Sequence, residues 1–522
     1  MKLGFIIDNR KCIGCHACTV ACKSEYDTPI GVNRTWVKYV EKGTFPDTRR
    51  FFTVHRCNHC EDAPCVEICP VTSLFVRPDG IVDFDPLRCI GCKACMQACP
   101  YDALHIDPRT RTASKCNYCA HRVDRGLQPA CVVVCPVQAI ISGDLEDPQS
   151  DIARLASRHV LMARKPEKNT RPKLFYIEAD GASIRPEEAP PGPYTVTGQS
   201  AGVGHFAGKP FAHDESGKGQ VIPYPTHLTD GTAHSSEAAP RRTYDTPERG
   251  VLWGWEVSGY LWTKSIAAGV LVIPLLLNLL GMAGMERRFE MALALISLAF
   301  LGLTGGLLVK DLDQPWRFLY VLLRPQWRSW LVRGAWIIMG FGGVTTLWLA
   351  LLWLEPASAP PLRIPLVALG LLTAIYTAFL LAQAKGRDLW QSPLLPFRMA
   401  VSSAMTGSAA VLLIGWVAGA PNMPWVHSAL IVAVIVHLGI AAAELFTPHV
   451  TGDTARAMAI ISQGSLKWHF RSALALGNLL PLVLLSIEAG TLPMVAAAGL
   501  VLIFALVFEH VWVRAPQLVP LS

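Results

Sequence analysis

The spacing of apolar residues changes character near residue 250. Before it, they come in short bursts. Leu3-Gly4-Phe5-Ile6-Ile7-Asp8, Phe51-Phe52-Thr53-Val54 and Ile81-Val82-Asp83-Phe84 each run towards a cysteine-rich loop. Bursts of that length predict short strands, and the stretch Asp151–Leu161 predicts a helix. After residue 250 the chain is almost continuously apolar. Eight segments, approximately 257–281, 291–310, 334–354, 362–384, 396–419, 424–446, 472–488 and 493–513, are expected to be helices. At about 1.5 Å per residue they can cross a hydrocarbon layer of about 30 Å, the short seventh only just. Pro274 and Pro481 fall inside two of them and are tolerable where neighbouring helices satisfy the freed backbone groups. Residues 1–178 are thus expected to form an α+β head, and residues 251–515 an all-α polytopic membrane bundle. Between them, residues 179–250 are rich in Gly, Pro, Ser, Thr and His without clear period. They predict an extended linker, partly ordered against the head.

The net charge of +7 is modest for 522 residues, and the basic residues are dispersed. That argues against a nucleic-acid partner. The first residues, MKLGFIIDNRKC, show neither a long apolar stretch nor a small-residue cleavage site, and no twin-arginine pair precedes Cys12. No export signal is expected.

Cysteine placement changes the picture most. All sixteen cysteines lie between Cys12 and Cys135, in four groups of four. The groups are Cys12, Cys15, Cys18 and Cys22; Cys57, Cys60, Cys65 and Cys69; Cys89, Cys92, Cys95 and Cys99; and Cys116, Cys119, Cys131 and Cys135. A proline follows the last cysteine of groups two, three and four. Cubane iron–sulfur clusters need four soft thiolate ligands, and C-x2-C-x2-C-x3-C-P is a run that presents them. A disulfide framework would go with a secreted chain, and zinc knuckles lack the CxxxCP ending. Sixteen thiolates make four [4Fe–4S] clusters with none left over. In such runs the last cysteine ligates the cluster of a partner group, so groups work in pairs. The spacing leaves open which groups pair. Strands, cysteine loops and single helical turns together suggest duplicated ferredoxin-like units.

Eight crossings place both ends of the bundle on one side. The short loops there hold Lys310, Arg317, Arg324, Arg328, Arg333, Lys385, Arg387, Arg456, Lys467, Arg471 and Arg514. The opposite loops hold Arg287, Arg288 and Arg363. The positive-inside rule puts the head in the cytoplasm, on an inner-membrane protein. Ionisable residues within the spans concentrate in the head-side half. Glu256, Tyr260 and Lys264 share one face of the first helix at i, i+4 and i+8; Tyr376 lies in the fourth, and His437 and Glu444 share a face of the sixth. Asn478, Glu509, His510, Asp311 and Asp313 lie in the same half, with Glu509, His510 and Asp311 expected to be structural. The opposite half holds little beyond Glu286, Glu290 and Glu488. A quinone takes up two electrons and two protons, so it needs donors at its carbonyls and a proton relay. Glu256, Tyr260, Lys264, Tyr376, His437 and Glu444 are the candidates. Only His437 is a deep histidine, so no haem is expected.

Residues 1–178 resemble the four-cluster electron-transfer subunits of the dimethyl-sulfoxide and polysulfide reductase group. The cysteine groups, CNHCEDAPCVEICP at 57–70 and RKPEKNTRPKLFYI at 164–177 carry that likeness. Residues 251–515 resemble NrfD-like membrane subunits through WGWEVSGYLWTKSIAAG at 253–269, QPWRFLYVLLRPQWRSWLVRGAW at 314–336 and LWQSPLLPFRMAVSSAMTG at 389–407. Such modules usually occupy two chains, so their fusion here is a departure. The resemblance implies that groups one and four pair, as do two and three. It also implies a haem-free bundle binding menaquinone or ubiquinone, and a separate catalytic subunit carrying a molybdopterin. The chain has no substrate site of its own beyond the quinone site. The expected function is electron transfer between the quinone pool and that subunit. A hydrogenase or larger respiratory complex, or a redox-driven proton-translocating module, are the alternatives.

Overall fold

The computed structural model describes residues 1–44, 46–197, 239–247, 249–282, 284–419, 423–487 and 490–522. Two compact units make up the chain: Met1–Gly250 with Pro520–Ser522, and Val251–Val519.

The first unit is built on two four-stranded sheets. In one, β1 (Leu3–Asp8) lies between β8 (Ile140–Asp144), antiparallel, and β10 (Leu174–Ile177), parallel, with β9 (Leu161–Met162) at the edge. All six residues of β1 are buried, as an apolar central strand covered on both faces should be. In the other sheet, β2 (Thr35–Thr44) and β3 (Asp47–Arg56) form a long hairpin. It is extended by β12 (Arg241–Asp245) and β11 (Pro191–Thr197). Two ribbons, β4–β5 (Leu74–Val76, Val82–Phe84) and β6–β7 (Leu104–Asp107, Thr112–Lys115), flank the cysteine loops. The expected helix at 151–161 ends at Arg158, and Leu161 enters β9 instead. Ser150 caps its start by accepting from the Ala153 amide.

The described parts of 179–250 fold into this unit. β11 and β12 complete a sheet, and Asp180 caps the short helix Gly181–Ile184. Residues 198–238 of the expected linker lie outside the described residues, as does Glu488.

Among the described residues of the second unit, eight helical segments are long and apolar enough to cross a membrane: Trp255–Leu279, Arg287–Lys310, Trp330–Leu354, Pro356–Gln383, Leu395–Val417, Pro424–Phe446, Lys467–Ser486 and Thr491–Leu518. The seventh is composite: an α-helix to Leu474, a wide π turn over Ala475–Leu479, then α-helix from Leu480. It starts at Lys467 rather than near 472, because Trp468 and Phe470 continue its apolar surface through the charged turn. The first and fifth helices meet backbone to backbone. A Cβ on Gly269 would fall on the Ser403 carbonyl, and one on Gly407 would fall on Gly269. Small residues permit that approach in a bilayer, where dispersion rather than the hydrophobic effect draws helices together. Gly407→Leu should therefore cost about 1–3 kcal/mol or more. We expect a lowered thermal midpoint in detergent, with Gly439→Ala, which has open space around it, as the silent control.

Candidate functional site

In the first unit, each cysteine loop turns in the same way. The residue before the second cysteine of every group has positive φ: Gly14 (70°), His59 (43°), Gly91 (70°) and Tyr118 (63°). That turn directs backbone amides at sulfur: His59 N–H to Cys57 Sγ at 3.5 Å and Gly91 N–H to Cys89 Sγ at 3.4 Å. Such concave rows of N–H groups favour anions.

The thiols then assemble across groups. Cys12, Cys15, Cys18 and Cys135 line one cavity, walled by Val37, Val54 and Ile140. Cys22 faces Cys116, Cys131 and Cys119. Cys65 faces Cys99, Cys57 and Cys60. Cys95 faces Cys92, Cys89 and Cys69. Groups one and four thus interlock, as do two and three, each giving its last cysteine to its partner's set. Burial pushes the Cys18 thiol up to about 12 and the Cys99 thiol to about 11. Iron uptake at such sites must release protons. Four sulfurs around an apolar cavity with amide donors fit a [4Fe–4S] cubane.

In the second unit, the polar residues gather in two groups. Lys264 is fully buried, and its ammonium donates to Ala374 O (2.9 Å) and Thr377 Oγ1 (2.8 Å). It lies 4.8 Å from the centre of the Tyr376 ring, which packs against Gly334. Tyr260 is buried beside Thr377 and Tyr376. Glu256 is turned away to Lys310 at 3.7 Å, with a side chain 21% exposed. The other group joins the fifth to eighth helices. The π turn carries Asn478, whose amide donates to Ala473 O at 2.9 Å. Its Oδ1 must therefore accept from His437 Nδ1–H at 2.9 Å, leaving Nε2 with the lone pair. Glu444 is buried, and neither carboxylate oxygen has a hydrogen-bond partner among the described residues. The charges facing it are Arg398 and Glu509. Arg398 is buried over the Trp512 ring at 4.3 Å. Glu509 accepts from Ser402 Oγ at 3.2 Å and also faces Lys264.

The six residues expected to line one site therefore fall into Tyr260, Lys264 and Tyr376 on one side, His437 and Glu444 on the other, with Glu256 apart. Glu509, expected to be structural, faces both groups. Arg398 was not foreseen: it lies two residues inside the predicted span 396–419, where a basic residue reads as an interfacial anchor.

Residues 246–519, more than half of the chain, match the family described as "Polysulphide reductase, NrfD". This protein belongs to the NrfD family. With eight apolar helices among its described residues, this NrfD protein is a multi-pass membrane protein. Residues 48–145 match a 4Fe-4S dicluster domain, so the NrfD unit is fused to an iron–sulfur unit. Three relatives of this NrfD fusion protein are informative. A tetrathionate reductase subunit of Salmonella typhimurium is 44% identical over 189 residues, 35% of this chain and 76% of that protein. The arsenate respiratory reductase iron-sulfur subunit of a Shewanella species is 35% identical over 35% of this chain and 98% of its own length. A polysulfide reductase polypeptide of Wolinella succinogenes is 42% identical over 34% of this chain and 94% of its own.

Proposed function

We propose that this chain is the membrane-bound electron-transfer subunit of a quinone-linked oxidoreductase. Electrons pass between the quinone pool and a separate catalytic subunit through four [4Fe–4S] clusters. The relatives are named as single subunits of reductases, one of them as the iron–sulfur subunit, which supports a partner that carries the substrate chemistry. We take that partner to be of the molybdopterin type; a hydrogenase or larger respiratory complex is the alternative.

The observation that carries the reading is the joining, in one chain, of four sulfur tetrads to a bundle holding a buried ammonium. Lys264 donates to two neutral oxygens and has Glu509 as a more distant opposite charge, so its third N–H is left for a quinone oxygen. Tyr260 and Tyr376 offer hydroxyls beside it. The quinone, menaquinone or ubiquinone, supplies the two-electron, two-proton couple. Lys264 and the tyrosines would orient its headgroup and donate at a carbonyl oxygen, while Glu509 and then Glu444 and His437 would pass protons on. Glu256, paired with Lys310, would hold the mouth of that face. Purified chain in detergent, mixed with a soluble quinol under anaerobic conditions, should bleach the cluster absorption. No bleaching with clusters intact overturns the reading.

Arg398, Glu444 and Glu509 form a buried charged group beyond the Lys264 face, and this favours a second reading, redox-driven proton translocation. Vesicles energised by quinol would acidify on one side only under that reading.

We also propose an inner-membrane location with the head in the cytoplasm, because basic residues crowd the loops on its side. Alkaline phosphatase fused after Ser522 should be inactive; an active fusion reverses the orientation.

A further inference from the structure

Arg56 ends β3, opposite Thr35 of β2, and immediately precedes Cys57. It is completely buried. Its Nη1 donates to Cys131 Sγ at 3.0 Å. The sulfurs it faces most strongly are those of Cys131, Cys116 and Cys18, which are thiolates once they ligate iron. Its Nε and Nη2 have no hydrogen-bond partner among the described residues, and its Cζ lies 4.6 Å from the centre of the Phe5 ring. A guanidinium in such a place is costly unless negative charge lies beside it. Here that charge is sulfur. Cys131 and Cys116 belong to one tetrad, with Cys22 and Cys119; Cys18 belongs to the neighbouring one.

His59, three residues on, tightens the same junction. Its Nδ1 accepts from Val82 N–H at 3.2 Å, so in the neutral ring the hydrogen is on Nε2. That nitrogen lies 3.8 Å from Cys116 Sγ. A segment carrying two ligands of the Cys57–Cys60–Cys65–Cys99 tetrad thus presents both a guanidinium and an imidazole N–H to the sulfurs of a different tetrad.

We propose that Arg56 sets the reduction potential of the cluster held by Cys22, Cys116, Cys119 and Cys131, raising it so that this cluster collects electrons within the head. The proposal rests on the reading that each tetrad holds a [4Fe–4S] cluster. One electron leaves a neighbouring cluster, oxidised from the 1+ to the 2+ core, and enters this one, reduced from 2+ to 1+. With four thiolates its net charge goes from −2 to −3. A fixed guanidinium attracts the −3 state more than the −2 state, and its N–H···S bond strengthens with the added charge. Hydrogen bonds to the sulfurs and net charge are the protein's means of shifting such potentials. Phe5 and the burial of the site keep water from screening the effect.

The test is a redox titration of the reconstituted full chain followed by electron paramagnetic resonance, with the signal of this cluster assigned through Cys131→Ser. Arg56→Met should lower that midpoint by at least a tenfold change in the reduction equilibrium, 59 mV for one electron. Arg56→Lys, which keeps the charge, should recover most of the shift, and iron content should be the same in all three proteins. An unshifted midpoint in an iron-replete Arg56→Met protein overturns the proposal, as does Arg56→Lys behaving like methionine. If Arg56→Met loses the cluster, Arg56→Lys must restore it while Arg56→Gln does not; failure of lysine to restore it overturns the proposal too. Fewer than four clusters in the wild-type protein would instead refute the underlying reading, and that is visible before any variant is made.

Discussion

Lys264→Met is expected to slow quinol-driven reduction of the clusters about a hundredfold, the low end of what a positioned proton donor contributes. Methionine keeps much of the side-chain length and its apolar stem, so packing against Tyr376 is retained. What disappears is the charge and the donors now satisfied by Ala374 O and Thr377 Oγ1. Those two oxygens need no replacement partner to keep the helix: Ala374 O sits within a continuous helical run, and Thr377 Oγ1 is a hydroxyl that can turn. Iron content and electron exchange with a soluble dye should therefore be unchanged. His437→Leu should act in the same direction but less strongly, since His437 belongs to the second polar group. Quinol-driven reduction unchanged in both variants would remove this face as the quinone site and move the search to the loop around Asp311 and Arg317.

Anaerobic reconstitution is expected to yield about sixteen iron atoms and sixteen acid-labile sulfides per chain, as four cubanes require. The structure makes partial loading unfavourable. Each pair of groups is interlocked, because Cys22 reaches the Cys116 set and Cys135 the Cys12 set. One cluster cannot be left out without leaving buried thiols around a void. Cys95→Ser, at a fully enclosed position, should accordingly cost more than one cluster's worth of iron, because the set that includes Cys69 loses its frame and the partner set depends on the same loops. A wild-type value near eight would mean that half of the tetrads are not clusters.

The cysteine chemistry was legible in the sequence because the ligands come in repeated groups of four with a CxxC start and a CxxxC end, a pattern that marks cubane sites even though the last sulfur of each group serves another set. Spacing alone left the pairing of groups open, since it depends on contacts between separate loops, such as Cys12 with Cys135 and Cys65 with Cys99, and it was the resemblance that implied it. The helices were legible as apolar runs, and their ends drifted where aromatic residues such as Trp330 and Trp468 extend a helix past a charged residue. Tyr260 and Lys264 were legible as neighbours because i, i+4 spacing places residues on one side of a helix, whereas Glu256, at the start of that helix, turns to Lys310 instead. The partners of Lys264 were not, because Ala374 O is a backbone atom and Thr377 an ordinary threonine, singled out only by how the first and fourth helices pack. Arg56 stayed hidden for the opposite reason: beside a cysteine motif, a basic residue reads as surface charge. β11 and β12 were unreadable as strands because Pro, Gly and Arg break the alternation that marks one.

The contact of Gly269 with Gly407 lies five residues beyond Lys264 on the same helix. With no side chains between the two backbones, the first helix cannot slide or rotate against the fifth without a steric collision. Lys264 is thus mounted on a pinned arm, so a quinone bound there, as proposed, would have to fit the arm rather than move it. Such a site should be choosy about ring substituents. Competitive inhibitors of it should fall into a narrow range of headgroup shapes.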